Sequence, residues 1–342
     1  MPKKRRQAKI PTPAWERPRG AIGRRILGRS GQFYGTVAVA VLIVIALGIV
    51  GYAFLNDYVE KQRRPGSTAI QVEDTKFRLD YFSNRLKMYV GQLGGQGSDP
   101  AQPVSALPAV AELLIQEEII RQFAGEFDIS ADEAEVRDAT AERLGITADD
   151  STYDAVFKQE LARTGISEQD YLRMMEASVL NSKLRQRFRI DVPATAESAH
   201  YRQIVVGTEE KATELKGDIE GGGDFAELAS ANSLDDQTRD KGGDMGWVAK
   251  GVLDASLEEL LFVLEPNEVT TIPTAQGSLV IQMLEKAPSR AVEDDDKAQL
   301  AERAFAKWVQ EKKDSIVLVN NMDLSDGDPK KIEWAVKRAY EG

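Results

Sequence analysis

From Gly31 to Asn56 the chain carries no charged residue, and Val37–Val50 within that stretch is almost wholly aliphatic. As a helix, Phe33–Leu55 would be about 34 Å long, enough to cross a hydrocarbon core of about 30 Å. Tyr34 and Tyr52 stand near its two ends, where aromatic side chains favour the membrane interface. Ten Lys/Arg against Glu16 alone give residues 1–30 a charge of +9, so with a total of −11 the remainder carries −20. A basic head of this kind could bind nucleic acid. Placed directly before an apolar run, it reads instead as charge that keeps the N-terminus in the cytoplasm and sends Asp57 onward across the membrane. A cleaved signal peptide fits less well, because the apolar run is longer than an h-region and no A-x-A-like site follows Val50. Arg24-Arg25 is a weak twin-arginine signal in so basic a segment. The expectation is an uncleaved single-pass anchor at 33–55, with a basic cytoplasmic tail at 1–32 and no nucleic-acid partner.

Cysteine is absent and His200 is the only histidine. Disulfides, thiolate nucleophiles and multi-histidine metal sites are therefore excluded, and neither a metal nor another cofactor is expected. After a linker at 56–68 ending in Arg64-Pro65-Gly66-Ser67, helical patterns follow: Val72–Val90, then a Gly/Pro-rich loop from Gly91 to Pro103, then Pro108–Gly125. Ser130 with Glu133 has the spacing of a capping box. A shorter piece, Tyr153–Arg163, stops at Gly165, and Ser167 with Asp170 opens a long helix that must end before Pro193. Nothing in this region looks catalytic.

The pattern changes at Ala199. Alternation over Tyr201–Val206 predicts a strand, followed by helices at Glu209–Ile219 and Asp224–Ala231 and a turn-rich stretch from Asp235 to Gly243. A strand at Asp244–Val248, a helix at Asp254–Leu264 and strands at Val269–Ile272 and Ser278–Leu284 complete the order βαααβαββ, a small α+β domain. Val292–Lys313 is helical again, and its acidic start, Glu293–Asp296, suits a helix N-terminus better than a metal. The charged end of the chain holds an amphipathic stretch, Ile332–Tyr340.

Asp224-Phe225-Ala226-Glu227-Leu228-Ala229, Asn232-Ser233-Leu234-Asp235-Asp236 and Gly242-Gly243-Asp244-Met245-Gly246-Trp247 resemble, in order and spacing, the parvulin-type peptidyl-prolyl isomerases. Phe262-Val263-Leu264-Glu265-Pro266-Asn267-Glu268-Val269, Pro273 and Gly277 continue the match, which covers about 196–288. Helices before this domain, a helix after it and an anchor in front resemble the secretory foldases of the PrsA and SurA type. The resemblance implies an α+β chain with a single transmembrane helix, a mostly helical chaperone-like module and a parvulin-like domain inserted into it. Its divisions are a SurA-N-like segment at 69–195, the parvulin domain at 196–288, a C-terminal helix at 289–320 completing the module, and a charged tail at 321–342. The implied partners are unfolded or newly exported polypeptides containing proline, and self-association as a homodimer is left open.

Isomerisation makes and breaks no bond. An X–Pro bond turns over a barrier of about 18–20 kcal/mol, so an enzyme needs an apolar slot for the proline ring and polar groups suited to a twisted amide. By the resemblance the slot is lined by Met245, Leu253, Leu257 and Phe262, although Phe262 suits a plain core position better. Asp236 falls at the family's acidic position, eight residues before Asp244, and Ser233 supports the same loop. The family's two histidines are replaced by Gln203 and Leu279. Gln203 still donates and accepts, whereas Leu279 does neither. His200, three residues before Gln203, falls on the opposite strand face and does not replace it. Three functions remain open on these residues: an active isomerase, a tethered holdase that binds proline segments without turning them, and an envelope scaffold that docks a partner through the tail.

Overall fold

The computed structural model describes residues 29–93, 101–275 and 277–341. The basic head up to residue 28 and part of the Gly/Pro-rich loop lie outside the described residues. The chain divides into two compact units, residues 1–67 and 68–342. In the first, helix α1 spans Arg29–Arg63 and contains Gly35–Tyr52, a segment long and apolar enough to cross a membrane. The helix extends through most of the segment read as a linker, because nothing interrupts it before Pro65; Ser67 then closes a turn onto the Arg64 carbonyl.

The second unit opens with a hairpin that sequence periodicity missed. Strands β1 (Thr68–Val72) and β2 (Thr75–Arg78) pair antiparallel around Glu73, which sits at φ 49°. Val72 and Phe77, pooled above into a helical period, belong to these strands, and helix α2 begins only at Leu79 and ends at Gln92. Helix α3 spans Ala101–Phe123, so Pro108 lies inside it rather than at its start. The capping box of α4 (Glu133–Leu144) is also displaced from the expected Ser130/Glu133 pair. It is made by Asp132 and Glu135, which exchange 2.9 and 3.0 Å hydrogen bonds. Helix α5 spans Tyr153–Thr164 and ends at Gly165. Helix α6 (Glu168–Asp191) is capped by Ser167, as its spacing with Asp170 predicts.

The domain that follows has strand β3 (Thr195–Val206), helices α7 (Glu209–Glu220) and α8 (Phe225–Asn232), and a 3-10 turn at Arg239–Lys241. Strand β4 (Asp244–Ala249), helix α9 (Ala255–Val263) and strands β5 (Val269–Thr274) and β6 (Gly277–Ala291) complete the expected βαααβαββ order. The sheet is wholly antiparallel with order β4-β3-β6-β5. On one face Ile204, Val206 and Val280 pack with Ala212, Leu215 and Phe225 of α7 and α8. On the other, Tyr201, Ile281 and Met283 pack with Leu261 and Leu264 of the α9 segment.

Helix α10 (Asp294–Ser315) returns to the body, where Phe305, Trp308 and Val309 join the core formed by α2, α3 and α6. The helix ends close to the expected Lys313, and the tail that follows is structured. Strand β7 (Leu318–Asn320) pairs with β1, giving a second sheet of order β2-β1-β7. Helix α11 (Pro329–Glu341) is no free tail: Ala335 is fully buried, and Ile332, Trp334, Val336 and Ala339 pack on the same core. Its amphipathic pattern is satisfied within the chain.

One buried ion pair braces this body. Arg85, 5% exposed, meets both Glu117 oxygens at 2.6 and 2.8 Å and also donates to the Tyr81 hydroxyl at 2.7 Å. Burial alone would push the guanidinium pKa down, but Glu117 outweighs it and holds Arg85 charged, while burial pushes the Tyr81 hydroxyl up to about 12. Arg85→Ala strands Glu117 and should cost about 3–5 kcal/mol in urea unfolding, whereas the double change Arg85→Met with Glu117→Leu should cost far less.

Candidate active site

The sheet face beneath α9 carries several of the residues expected to form the site. Side chains on β3 alternate, so Tyr201, Gln203 and Val205 share one face, opposite Met283, Ile281 and Leu279 of β6. Tyr201, Ile281 and Met283 are covered completely, while Gln203 and Leu279 are only half-buried at the open end of this face. Leu253, Leu257, Phe262, Ile272 and Leu279 are all half-buried against the same apolar cluster, in contrast to the fully buried Leu261. Phe262 sits beneath Lys250, whose ammonium lies 5.2 Å from the ring centre. Met245 is 38% exposed and belongs to none of the apolar clusters. Leu253, Leu257 and Leu279 thus border one apolar cluster, Gln203 lies on the same sheet face, and Met245 lies on the adjoining strand.

The loop from Ser233 to Gly243 borders Gln203. Ser233, 4% exposed, accepts from the Val205 and Asp235 amides at 3.2 and 3.3 Å, and the Leu234 amide donates to the Val205 carbonyl at 2.8 Å. Ser233 therefore pins the loop to β3 and has no free surface to offer a substrate. Asp236 points into solvent, with a side chain 81% exposed and a 2.7 Å ion pair to Arg239. Its neighbour Asp235 turns inward. It accepts from the Thr238 hydroxyl at 2.6 Å and the Gln237 amide at 3.0 Å, and the Gln203 side chain lies beside it. The Thr238 hydroxyl, more than the surrounding amides and Gln203, holds the Asp235 carboxyl below its usual range. Sequence reasoning assigned Asp235 no role. The one signal for it was Thr238 three residues on, the spacing of a carboxylate that caps its own turn.

Gly243 locks this loop against the sheet. It sits at φ 77°, its carbonyl accepts from the Gln203 amide at 2.8 Å, and a Cβ there would overlap the Gln203 carbonyl oxygen. Only glycine allows the loop to approach β3 so closely.

With this geometry in hand, comparison with known proteins identifies the domain. Residues 195–287 match the family described as PPIC-type PPIASE domain, so this is a parvulin-type peptidyl-prolyl cis-trans isomerase domain. Residues 32–185 match the SurA-like N-terminal domain. The chain is a relative of the PrsA and SurA foldases and chaperones. It is 26% identical over 197 residues to foldase protein PrsA 2 of Listeria innocua, covering 52% of this chain and 67% of that protein. It is 34% identical over 128 residues to chaperone SurA of Methylococcus capsulatus, covering 34% of this chain but only 28% of the relative. A crystal structure of the peptidylprolyl isomerase PrsA from Bacillus anthracis matches over 66% of this chain and 95% of its own, at 18% identity and a TM-score of 0.37.

Two outcomes follow from the loop geometry. Gly243→Ala should destabilise the domain by at least about 2 kcal/mol, combining left-handed strain with backbone overlap, as measured by urea unfolding. Asp235 contributes stability that is present above its unfolded pKa, near 3.8, and lost as pH falls through the lower folded value. Below about pH 4 the wild type should therefore lose stability that Asp235→Asn does not lose, as read from unfolding midpoints against pH.

Proposed function

We propose that the chain is a membrane-tethered folding factor that isomerises X–Pro bonds in polypeptides outside the cytoplasm. Its parvulin domain projects from a chaperone body made of residues 69–195 and the C-terminal helix. The observation that carries the reading is that Leu253, Leu257 and Leu279 stay half-buried against the apolar cluster of the sheet face on which Gln203, bonded to Asp235, also lies. These leucines suit a proline ring, with Met245 and Phe262 as further walls. Gln203 donates to the amide oxygen, or to the prolyl nitrogen as it gains lone-pair character in the twisted amide, which has no N–H of its own. Nothing covalent is required, which matches a site without a thiol or a histidine pair. Asp236 stands at the motif's acidic position, and Asp235 holds Gln203 in place. The apolar Gly35–Tyr52 helix behind a basic head supports the anchor and its orientation.

Leu279 favours a second reading. At this position on the floor it neither donates nor accepts, so a proline segment can be gripped without its amide being helped to turn. The protein would then be a tethered holdase.

Exchange NMR on an X–Pro peptide series with the soluble fragment from Arg64 onward separates the two. The expected result is faster cis/trans exchange, lowered about tenfold or more by Asp235→Ala and by Leu257→Ala, and little changed by Asp236→Ala, whose carboxylate faces solvent. Peptide binding without faster exchange would overturn catalysis and leave the holdase.

A further inference from the structure

His200, the one histidine, lies on the sheet face away from the groove and has no part in the reading above. Its surroundings are nevertheless built. Its Nε2 lies 2.8 Å from Asp244 Oδ1, and its ring packs on Trp247 with centres 5.5 Å apart and planes 30° apart. Trp247 in turn carries the Arg290 guanidinium 4.6 Å from its ring centre. The same Asp244 oxygen accepts the Gly246 amide at 2.8 Å. Burial would raise the Asp244 carboxyl, but the Gly246 N–H, His200 and Arg202 together hold it below its usual range. A carboxylate only accepts, so the hydrogen bond requires the His200 proton on Nε2.

This network encloses a fault in the sheet. Tyr201 pairs with Gly246 and Arg202 with Asp244, which leaves Met245 as an extra residue in β4. The β3–β6 ladder slips beside it, between His200 and Tyr201. Bulges of this kind bend a strand and re-aim a side chain next to an active site. Gly246 sits at φ 73° opposite Tyr201, whose face of the sheet also holds Gln203, and Met245 is the unpaired residue beside it. Met245 belongs to no apolar cluster and has a flexible side chain, so its direction comes from the backbone rather than from packing. What fixes that backbone is the Asp244 carboxylate bridging the bulge.

We propose that His200 is a positioning residue for the proline groove: by donating Nε2–H to Asp244 it holds the carboxylate that accepts the Gly246 amide, and so sets the bulge that aims Met245 at the substrate. The proposal rests on the reading of this face as the X–Pro groove. A histidine three residues before the strand position that faces substrate thus acts from the other side of the sheet, through a carboxylate and a backbone amide. Its role is in substrate affinity, since it reaches neither Gln203 nor the turning amide.

The test is a double-mutant cycle on the full chain in detergent, with peptide affinity from NMR titration and cis/trans exchange measured on the same X–Pro peptide. His200→Ala should weaken peptide affinity about three- to tenfold and leave the exchange rate of bound peptide within about twofold. His200→Gln, whose amide can still donate to Asp244, should restore most of the affinity. In a Met245→Ala background, His200→Ala should have no further effect. Should alanine unfold the domain, His200→Leu, which keeps bulk against Trp247 without the donor, takes its place. An undiminished loss in the Met245→Ala background, or a glutamine variant as weak as the alanine one, would overturn the positioning role. A silent Met245→Ala removes the slot assignment and the proposal with it. An effective Met245→Ala beside a silent His200→Ala removes the positioning role alone.

Discussion

The architecture depends on an aromatic contact made across a whole domain. Phe127 and Phe188 come before the parvulin domain and Phe305 and Trp308 after it. Phe127 lies 5.2 Å from Phe188 and 5.6 Å from Trp308, and Phe188 lies 5.7 Å from Phe305. Such a cluster closes only if the inserted chain returns to the place where it left. The β3–β6 ladder ensures this, because its register sets Thr195 beside Ala291, and the Val292 amide donates to the Ala194 carbonyl at 3.0 Å. The two strands thus act as a neck, and the loop-closure entropy of an insert nearly a hundred residues long is offset by the sheet itself rather than left to the body. Helix α10 then belongs to both parts. Asp296 accepts from the Ala249 amide and Leu300 packs on the sheet, while Phe305 and Trp308 complete the body.

Within the insert, the two faces of one sheet divide the labour. Beneath α9 the packing is apolar and leaves Leu253, Leu257 and Leu279 half-buried at its edge. The opposite face is filled by α7 and α8 and laced by polar contacts such as Arg202, which donates to Gln282 at 2.7 Å and lies over Phe225. The Ser233–Gly243 loop joins the two faces, clamped at Ser233, Asp235 and Gly243.

The sequence made the order of elements in the insert legible, though not the reach of β3 back to Thr195 or of β6 on to Ala291, and the reason is local. Tyr201–Val206 alternates, Asp224 and Thr208 cap their helices, and glycines mark each turn, so every element announces itself within ten residues. The body was legible in its long helices and not in its closures. Strands β1, β2 and β7 are three to five residues long, and β7 pairs with a strand more than two hundred residues away, which no local period reports. Helix α11 carried an amphipathic pattern, but a pattern cannot say whether its partner is the same chain. At the site, motif spacing led to Gln203, Leu257 and the loop. It could not tell which of two adjacent aspartates turns inward, because that follows from the Thr238 hydroxyl and the turn it closes. Nor could it show that His200 reaches Asp244, since the distance between them depends on the bulge.

The pairing of β1 with β7, and of α2 with α11, joins the beginning of the folded unit to its very end. A chain made from its N-terminus exposes the apolar faces of α2 and α3 long before the residues that cover them exist. Until Pro329 and its helix have been synthesised, the body has an open seam, and the insert can fold first and wait. The molecule therefore passes through a stage as an unfinished chain with exposed core and its last contacts still to come.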